Sequence, residues 1–337
     1  MVENGIAILK PQKVQDTENS KKSITVAGNS ETEFEVKFSL DDSEVEALKK
    51  DRPKGFFLEG YVVFENTNKN VNEEISIPFV GFKGDWNNLQ VIEDSVYDMI
   101  SQGKKPTYYE VSDRTPYPFT HIQSKSEGKD ILLGEDPAST YKDPKFNKNK
   151  IAFSPNGDGR AEEIQFVGTF LRNYKDVVIE AYTEGNKVDP IYSFKKNDDF
   201  GTKNYFISGF GGPNLTTTKT HWKWDGKNAT SEVMKDGNYI FAVNVKPDGS
   251  DKTIANQRME FPVIIDTVHP RIVKSSYDQA KGEYTLSEVE EKGSGIRTQV
   301  ITIGENDKKK EYYADEKGVF KLPPNTDPKT ATLTISD

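Results

Sequence analysis

Apolar and polar residues alternate with a period of two over much of this chain. In EFEVKFSL (33–40), Phe34, Val36, Phe38 and Leu40 oppose Glu33, Glu35, Lys37 and Ser39. That is the pattern of an antiparallel strand with one buried face. GFFLEGYVVFEN (55–66) and EISIPFVGF (74–82) read as two more strands, and Pro78 in the second points to an edge or a strand end. Between these runs, Asp42 caps a short helix over SEVEALKK. In NNLQVIEDSVYDMISQGKK (87–105), Leu89, Ile92, Val96, Met99 and Ile100 recur at helical spacing. Asn87 or Asn88 is placed to start that helix and Gly103 to end it.

Residues 104–150 lose this periodicity. They read as long loops with strands near IQSK and ILLG, closing on a polar linker, YKDPKFNKNK (141–150). Alternation returns at 151. Ile164, Phe166, Gly168 and Phe170 share one face, as do Val177, Ile179 and Ala181, and as do Tyr239, Phe241, Val243 and Val245. FPVIIDTVHPRIV (261–273) reads as a last strand, a short linker and a first strand. GEYTLSEVEEKGSGIRTQVITI then opens a further β unit that stops short of its final strand. Short strands spaced by turn signals, without regular helices between them, predict an all-β fold of tandem β-sandwiches with a helix or two in the first unit. The expected domains are 1–148, with a helical insert and long loops, 149–266, and 267–337.

Length agrees with several domains, since a single core stops growing near 250–300 residues and this chain has 337. No apolar run is long enough to cross a membrane as a helix, so no membrane insertion is expected. MVENGIAILK shows no basic start with a long apolar stretch behind it. The strand-like run directly after Met1 fits a start inside a longer chain. The net charge is −9 with both signs interspersed, so no basic face stands out for nucleic acid. The absence of cysteine excludes disulfides, thiolate zinc sites and cysteine nucleophiles. It is a habit of Gram-positive surface proteins, and equally compatible with a cytosolic one.

One set of segments occurs in a recognisable order: ITVAGNSETEFEVKF, GFFLEGYVVF, SIPFVGFKGDWNNL, SPNGDG followed by IQFVGTFLRN, HWKWDGKN with DGNYIFAV, and VIIDTVHP. This order resembles the fibronectin type III-like domains downstream of the catalytic domain in the C5a peptidase and lactocepin group of cell-envelope subtilisin-like serine proteases. SPNGDG by itself recurs in unrelated bacterial sandwich domains; the ordered set carries the resemblance, which covers nearly the whole chain. It implies the sandwich region of a cell-wall-anchored endopeptidase on the surface of a Gram-positive bacterium. The triad settings of such proteases do not occur here, and VGTFLRN has no Ser after Thr169. His121 beside Phe119, His221 beside Trp222 and His269 beside Pro270 read as packing or surface residues, so no catalytic residue is expected.

Three motifs remain. Lys83-Gly84-Asp85 stands where the C5a peptidases have Arg-Gly-Asp, an adhesion-type loop. Lys lacks the bidentate fork of Arg, and a plain turn with Trp86 packing beside it explains the residues more simply. Trp222 and Trp224 in HWKWDGKN, two apart on one strand face, read as a core or inter-domain contact ahead of a stacking platform for a ligand. The DGN at 236–238 is a hairpin-type turn, and Lys308–Lys310 a solvated loop.

SPNGDGRAEE (154–163) is followed by strand alternation, which excludes a phosphate loop opening a helix. As a turn it is sound, with Pro155 fixing φ and Gly157 and Gly159 free to adopt positive φ. Oxygen donors nonetheless recur at every second position: Asn156, Asp158, the Arg160 carbonyl and Glu162. That spacing wraps a hard cation such as Ca²⁺ in a structural role. Asp225 is a further ligand candidate, and Glu163 a substitute where the related motif has Asp at the position of Glu162. The expected function is a non-catalytic accessory region that spaces the protease from the wall and offers an exosite to its protein substrate. The alternative is an independent adhesin that binds a host surface protein through Lys83–Asp85. A monomer is expected in both.

Overall fold

The computed structural model describes residues 2–3, 6–7, 23–33, 41–53, 55–68, 74–86, 89–110, 117–126, 128–206, 213–249, 257–304, 309–315 and 317–336. Among the described residues the architecture is all-β with two α-helices. The chain separates into a compact unit comprising Met1–Leu89 and Gly249–Ala255 and a second one comprising Gln90–Asp248 and Asn256–Asp337.

In the first unit, β1 (Val2–Glu3) and β2 (Ile6–Ala7) form a small antiparallel pair. The strand expected at 33–40 lies, from Phe34 onward, outside the described residues. Helix α1 (Asp42–Asp51) starts one residue earlier than its sequence cap suggested. Asp41 is the N-cap, its carboxylate accepting from Ser43 N at 2.8 Å. Val45 and Leu48, three apart, are its buried positions. Strands β3 (Phe56–Glu65) and β4 (Glu74–Lys83) pair antiparallel from Phe56↔Lys83 to Glu65↔Glu74. Pro78 stands mid-strand opposite Tyr61; a two-stranded ribbon consists only of edges, where proline is tolerated.

The second unit corrects one expected helix. Only α2 (Val96–Ser101) is helical, and Asn87 and Asn88, its expected caps, lie outside the described residues. Ser95 caps it, accepting from Asp98 N. Residues 91–92 are extended instead. The Gln257 carboxamide accepts from Val91 N (2.5 Å) and Ile92 N (3.0 Å) and donates to Ile92 O (3.0 Å), while Ile92 bridges Phe170. A side chain 165 positions away thus holds backbone groups that a helix would have used.

Strands β5 (His121–Ser126) and β6 (Lys129–Leu132) form a hairpin. They are followed by β7 (Ala152–Phe153), β8 (Ile164–Val167), β9 (Tyr174–Thr183), β10 (Tyr192–Lys195), β11 (Phe200–Gly201), β12 (Lys223–Trp224), β13 (Gly237–Pro247) and β14 (Gln257–Ile265). One sheet runs β12-β8-β5-β6. The other runs β10-β9-β13-β14-β7, with β11 also on β9 and β7 parallel to β14. Their inner faces share a single core that takes in Ile122, Phe166, Phe170, Trp222, Phe241 and Phe261. Each such side chain contributes about 1.5–3 kcal/mol by burial.

The expected boundary at 148/149 therefore runs through a core. Val91, Tyr97, Phe119, Ile122 and Leu132 pack with Ile164, Phe166 and Phe261, because β5 hydrogen-bonds β8 across it. The expected linker 141–150 is likewise tied down. Asp136 N donates to Lys145 O and Asn147 N to Gly134 O, and Phe146 meets the rings of Tyr97 and Phe119 edge-on.

A second sandwich follows: β15 (Arg271–Asp278), β16 (Glu283–Glu290), β17 (Thr298–Ile303), β18 (Lys310–Tyr313), β19 (Val319–Lys321) and β20 (Ala331–Ser336). Its sheets are β15-β16-β19 and β18-β17-β20, around Leu286, Ile301, Phe320 and Leu322. Lys310 opens β18, and Lys308 lies outside the described residues. The joint between the two sandwiches is polar and closed. Buried Asp266, just past β14, accepts through Oδ2 from Ser294 N (2.7 Å) and Ser294 Oγ (2.9 Å). Lys150 Nζ donates to Ser294 O at 2.8 Å. A Cβ on Gly293 would stand 2.1 Å from Asp266 Oδ2. Gly293→Ala is expected to push this loop off Asp266 and cost about 2–3 kcal/mol. Calorimetry should then show residues 267–336 melting earlier as a separate transition, and an unshifted single transition would contradict the joint.

Candidate functional site

Lys83, Gly84 and Asp85 are exposed, but they do not form a projecting hairpin tip. Lys83 closes β4 opposite Phe56, and Gly84 and Asp85 follow it at the end of the ribbon away from the β3–β4 connection. Gly84 has φ +151°, and a Cβ there would stand 2.9 Å from Gly55 Cα. Glycine is required at this close approach. Trp86 packs edge-on against Phe57 and Phe82, at ring distances of 6.0 and 5.3 Å. The triplet thus sits where strand packing alone accounts for Gly84 and Trp86.

SPNGDGRAEE forms one tight loop stitched by its own acceptors. Gly157 (φ +86°) and Gly159 (φ +84°) turn their N–H groups onto Glu162, at 2.9 Å to Oε2 and 2.8 Å to Oε1. Asp158 N donates to Asn156 Oδ1 (3.0 Å) and Arg160 N to Asp158 Oδ1 (2.8 Å). Ser154 N bonds Ala161 O, and Ala161 N bonds Lys125 O, which anchors the loop to β5. The structure therefore brings Asn156, Asp158 and Glu162 together. It does not bring the other two candidates' carboxylates with them. Glu163 pairs with Lys223 at 2.6 Å and Asp225 with Lys227 at 2.8 Å. The Asp225-Gly226 turn does abut the loop, since a Cβ on Gly226 would meet Pro155 Cγ at 2.8 Å. Among the described residues no group of three or more His, Cys, Asp or Glu could hold a metal ion.

Trp222 and Trp224 are fully buried. Trp222 lies among Phe166, Phe170 and Tyr174, and Trp224 against Phe153 and Tyr239. Neither indole face is open to a ligand.

A cluster that pattern reading missed surrounds Trp222. The Asp199 carboxylate, with no exposed side-chain surface, accepts from Trp222 Nε1 (2.7 Å) and His221 Nε2 (2.9 Å), both on Oδ2, and pairs with Lys219 through Oδ1. Burial alone would raise its pKa; the hydrogen bonds from Lys219, Trp222 and His221 outweigh that and hold it below the usual carboxylate value. Asp199 stands 20 to 23 positions before these partners in a polar stretch, so no periodicity marks it. An acid and an imidazole meet here, but the third member is a lysine, and among the described residues no hydroxyl nucleophile joins them.

His121 is buried, with Nδ1 at 2.8 Å from Phe119 O and Nε2 at 3.3 Å from Gln123 Oε1. His269 is exposed on the segment joining the sandwiches. No two of the three histidines share a site.

No family model matches the chain. Similarity to curated proteins is extensive. The chain is 27% identical, over 96% of its length, to a C5a peptidase of Streptococcus pyogenes serotype M1. It resembles part of a surface peptidase. A C5a peptidase of serotype M18 is 28% identical over 91% of the chain. A PII-type proteinase of Lacticaseibacillus paracasei is 23% identical over 70% of it. The chain spans about 30% of the length of the C5a peptidases it matches and 12% of that proteinase.

Burial holds the pKa of His121 down at about 4, against 6.5 for the free group. The unfolded chain therefore binds a proton that the fold refuses between these values. Stability should fall as pH drops from 6.5 toward 4, by up to about 3 kcal/mol from this residue. His121→Gln, whatever its stability at pH 7, should flatten that slope in urea titrations. An unchanged slope would assign the acid sensitivity elsewhere.

Proposed function

We propose that this chain is a non-catalytic region of a cell-wall-anchored serine endopeptidase, in which the sandwiches space the catalytic domain from the wall and offer contact surface to its protein substrate. The observation that carries this reading is similarity spanning 96% of the chain to less than a third of a C5a peptidase. The closed joint at Asp266 and Ser294 supports a spacing role, because a spacer must transmit position. Buried tryptophans and scattered histidines favour position over chemistry. The purified chain should cleave neither casein nor a complement peptide. Cleavage that tracks this polypeptide through purification and stops with a serine-directed inhibitor would overturn the reading.

The 154–163 loop is proposed as a structural calcium site within the same region. Its support is the oxygen spacing at Asn156, Asp158, the Arg160 carbonyl and Glu162. The ion would have to share oxygens that now accept loop N–H groups, which carboxylates do readily because each oxygen has more than one lone pair. Calcium that binds only the folded state should raise the melting midpoint of the wild type and not of Asp158→Ala. No shift at millimolar calcium leaves a turn closed by Glu162 alone.

A further inference from the structure

β3 and β4 pair residue for residue, so each directly opposed pair projects from one face of the ribbon. One face carries Phe56, Leu58, Val62 and Phe64 of β3, all buried or half-buried. The other carries Phe57, Tyr61 and Val63 of β3 with Val80 of β4, which are 55, 69, 47 and 72% exposed. Phe82 continues this apolar row toward Trp86, with ring centroids 5.1 Å from Phe57 and 5.3 Å from Trp86. Single exposed apolar residues are ordinary, but a contiguous strip of them on one sheet face marks an interaction surface.

Three carboxylates share that exposed face: Glu59 opposite Val80, and Glu65 opposite Glu74. It has no lysine, arginine or histidine, because Lys83, the one base of the two strands, stands on the other face opposite Phe56. Glu65 and Glu74 are like charges directly across the ribbon, an arrangement that costs stability. Among the described residues none of the three glutamates takes part in an ion pair. Glu74 instead accepts from Ser76 Oγ at 3.0 Å, on the same face. Elsewhere strand carboxylates are answered: Glu180 and Glu260 by Arg258, Glu290 by Arg271, and Glu283 by Lys321.

We propose that this face of the ribbon docks a basic segment of a protein partner, in which lysine or arginine stands among apolar side chains. The apolar side chains would cover Tyr61, Val63 and Val80. The cations would meet Glu59 and the Glu65–Glu74 pair, relieving its repulsion. A second copy of this face would bring acid against acid, and an anionic surface would be repelled in the same way. Charge therefore selects the partner. This chemistry is required whether or not the partner is a protease substrate.

The test titrates the 337-residue chain into a fluorescein-labelled peptide of about twelve residues that repeats Leu-Thr-Lys-Thr, so that leucine and lysine share one side of a strand. A Leu-Thr-Glu-Thr peptide runs alongside. Fluorescence anisotropy should show saturable binding of the basic peptide only, weakening as salt rises from about 50 to about 500 mM. Glu59→Lys should weaken it about tenfold and Tyr61→Thr about fivefold, each with an unchanged melting midpoint, since both side chains are exposed. Should Tyr61→Thr shift the midpoint, Val80→Thr repeats the measurement with a side chain of the same shape. Glu46→Lys makes the same change of net charge on the exposed side of α1 and should leave the affinity within about twofold. Equal weakening by Glu46→Lys and Glu59→Lys overturns the proposal, because bulk charge would then explain the binding. Equal binding of the acidic peptide, or no saturable binding of the basic one, overturns it as well. So does peptide binding that is lost as the chain self-associates in light scattering, which would assign the face to a second copy.

Discussion

The first sandwich depends on the burial of one indole N–H. Trp222 lies between the sheets among Phe166, Phe170 and Tyr174, where a donor without an acceptor would cost about 1–3 kcal/mol. Asp199 supplies the acceptor, but a lone carboxylate in that place would cost more than it relieves. Lys219 and His221 complete the arrangement, and Lys219 also reaches Phe200 O and stands over the Tyr174 and Trp222 rings. One apolar side chain therefore dictates three polar ones. Together they fix β11 and the approach to β12, and so the width of the core.

Buried acids elsewhere are used in the same way. Glu93 Oε1 accepts from Thr107 N and Oγ1, and Asp266 from Ser294; Glu162, only half-buried, accepts in the same way from two glycine N–H groups. In a chain of net charge −9, these carboxylates serve as acceptors for donors that the strand ladders leave over. A carboxylate so engaged is structural until something is shown to compete for it, which is why the 154–163 loop needs a metal titration to decide its role.

Strand periodicity was the legible part of the sequence. Ile164, Phe166 and Phe170, Val177 to Ala181, and Tyr239 to Val245 all face the core as their alternation indicates. The misread helix at 89–102 and the boundary at 148 share a cause. In each, a long-range contact decides the local structure: Gln257 captures the backbone at 91–92, and β5 bonds β8 across the expected boundary. Leu89, Ile92 and Val96 fit helical spacing, yet only Val96 is in the helix. The turn at 154–163 was legible because the glycines that it needs at positive φ are a local property of the sequence. The Asp199 cluster was not, because its members meet only when β11 and β12 are folded onto one core.

Resemblance and geometry speak to different levels of function. Segment order aligns the chain with a region of surface peptidases, while no cluster among the described residues supplies a nucleophile, a base and its orienter. What the geometry does supply is a defined joint. Asp266 can reach Ser294 only because Gly293 lacks a side chain, and Lys150 binds the same residue's carbonyl. A linker of polar residues would let two sandwiches swing independently. A buried carboxylate held by a backbone N–H and a hydroxyl resists that motion, since separating the sandwiches would leave it to be resolvated with its partners lost. Position is then set by the fold itself, which is the property a region between a catalytic domain and a cell wall would need.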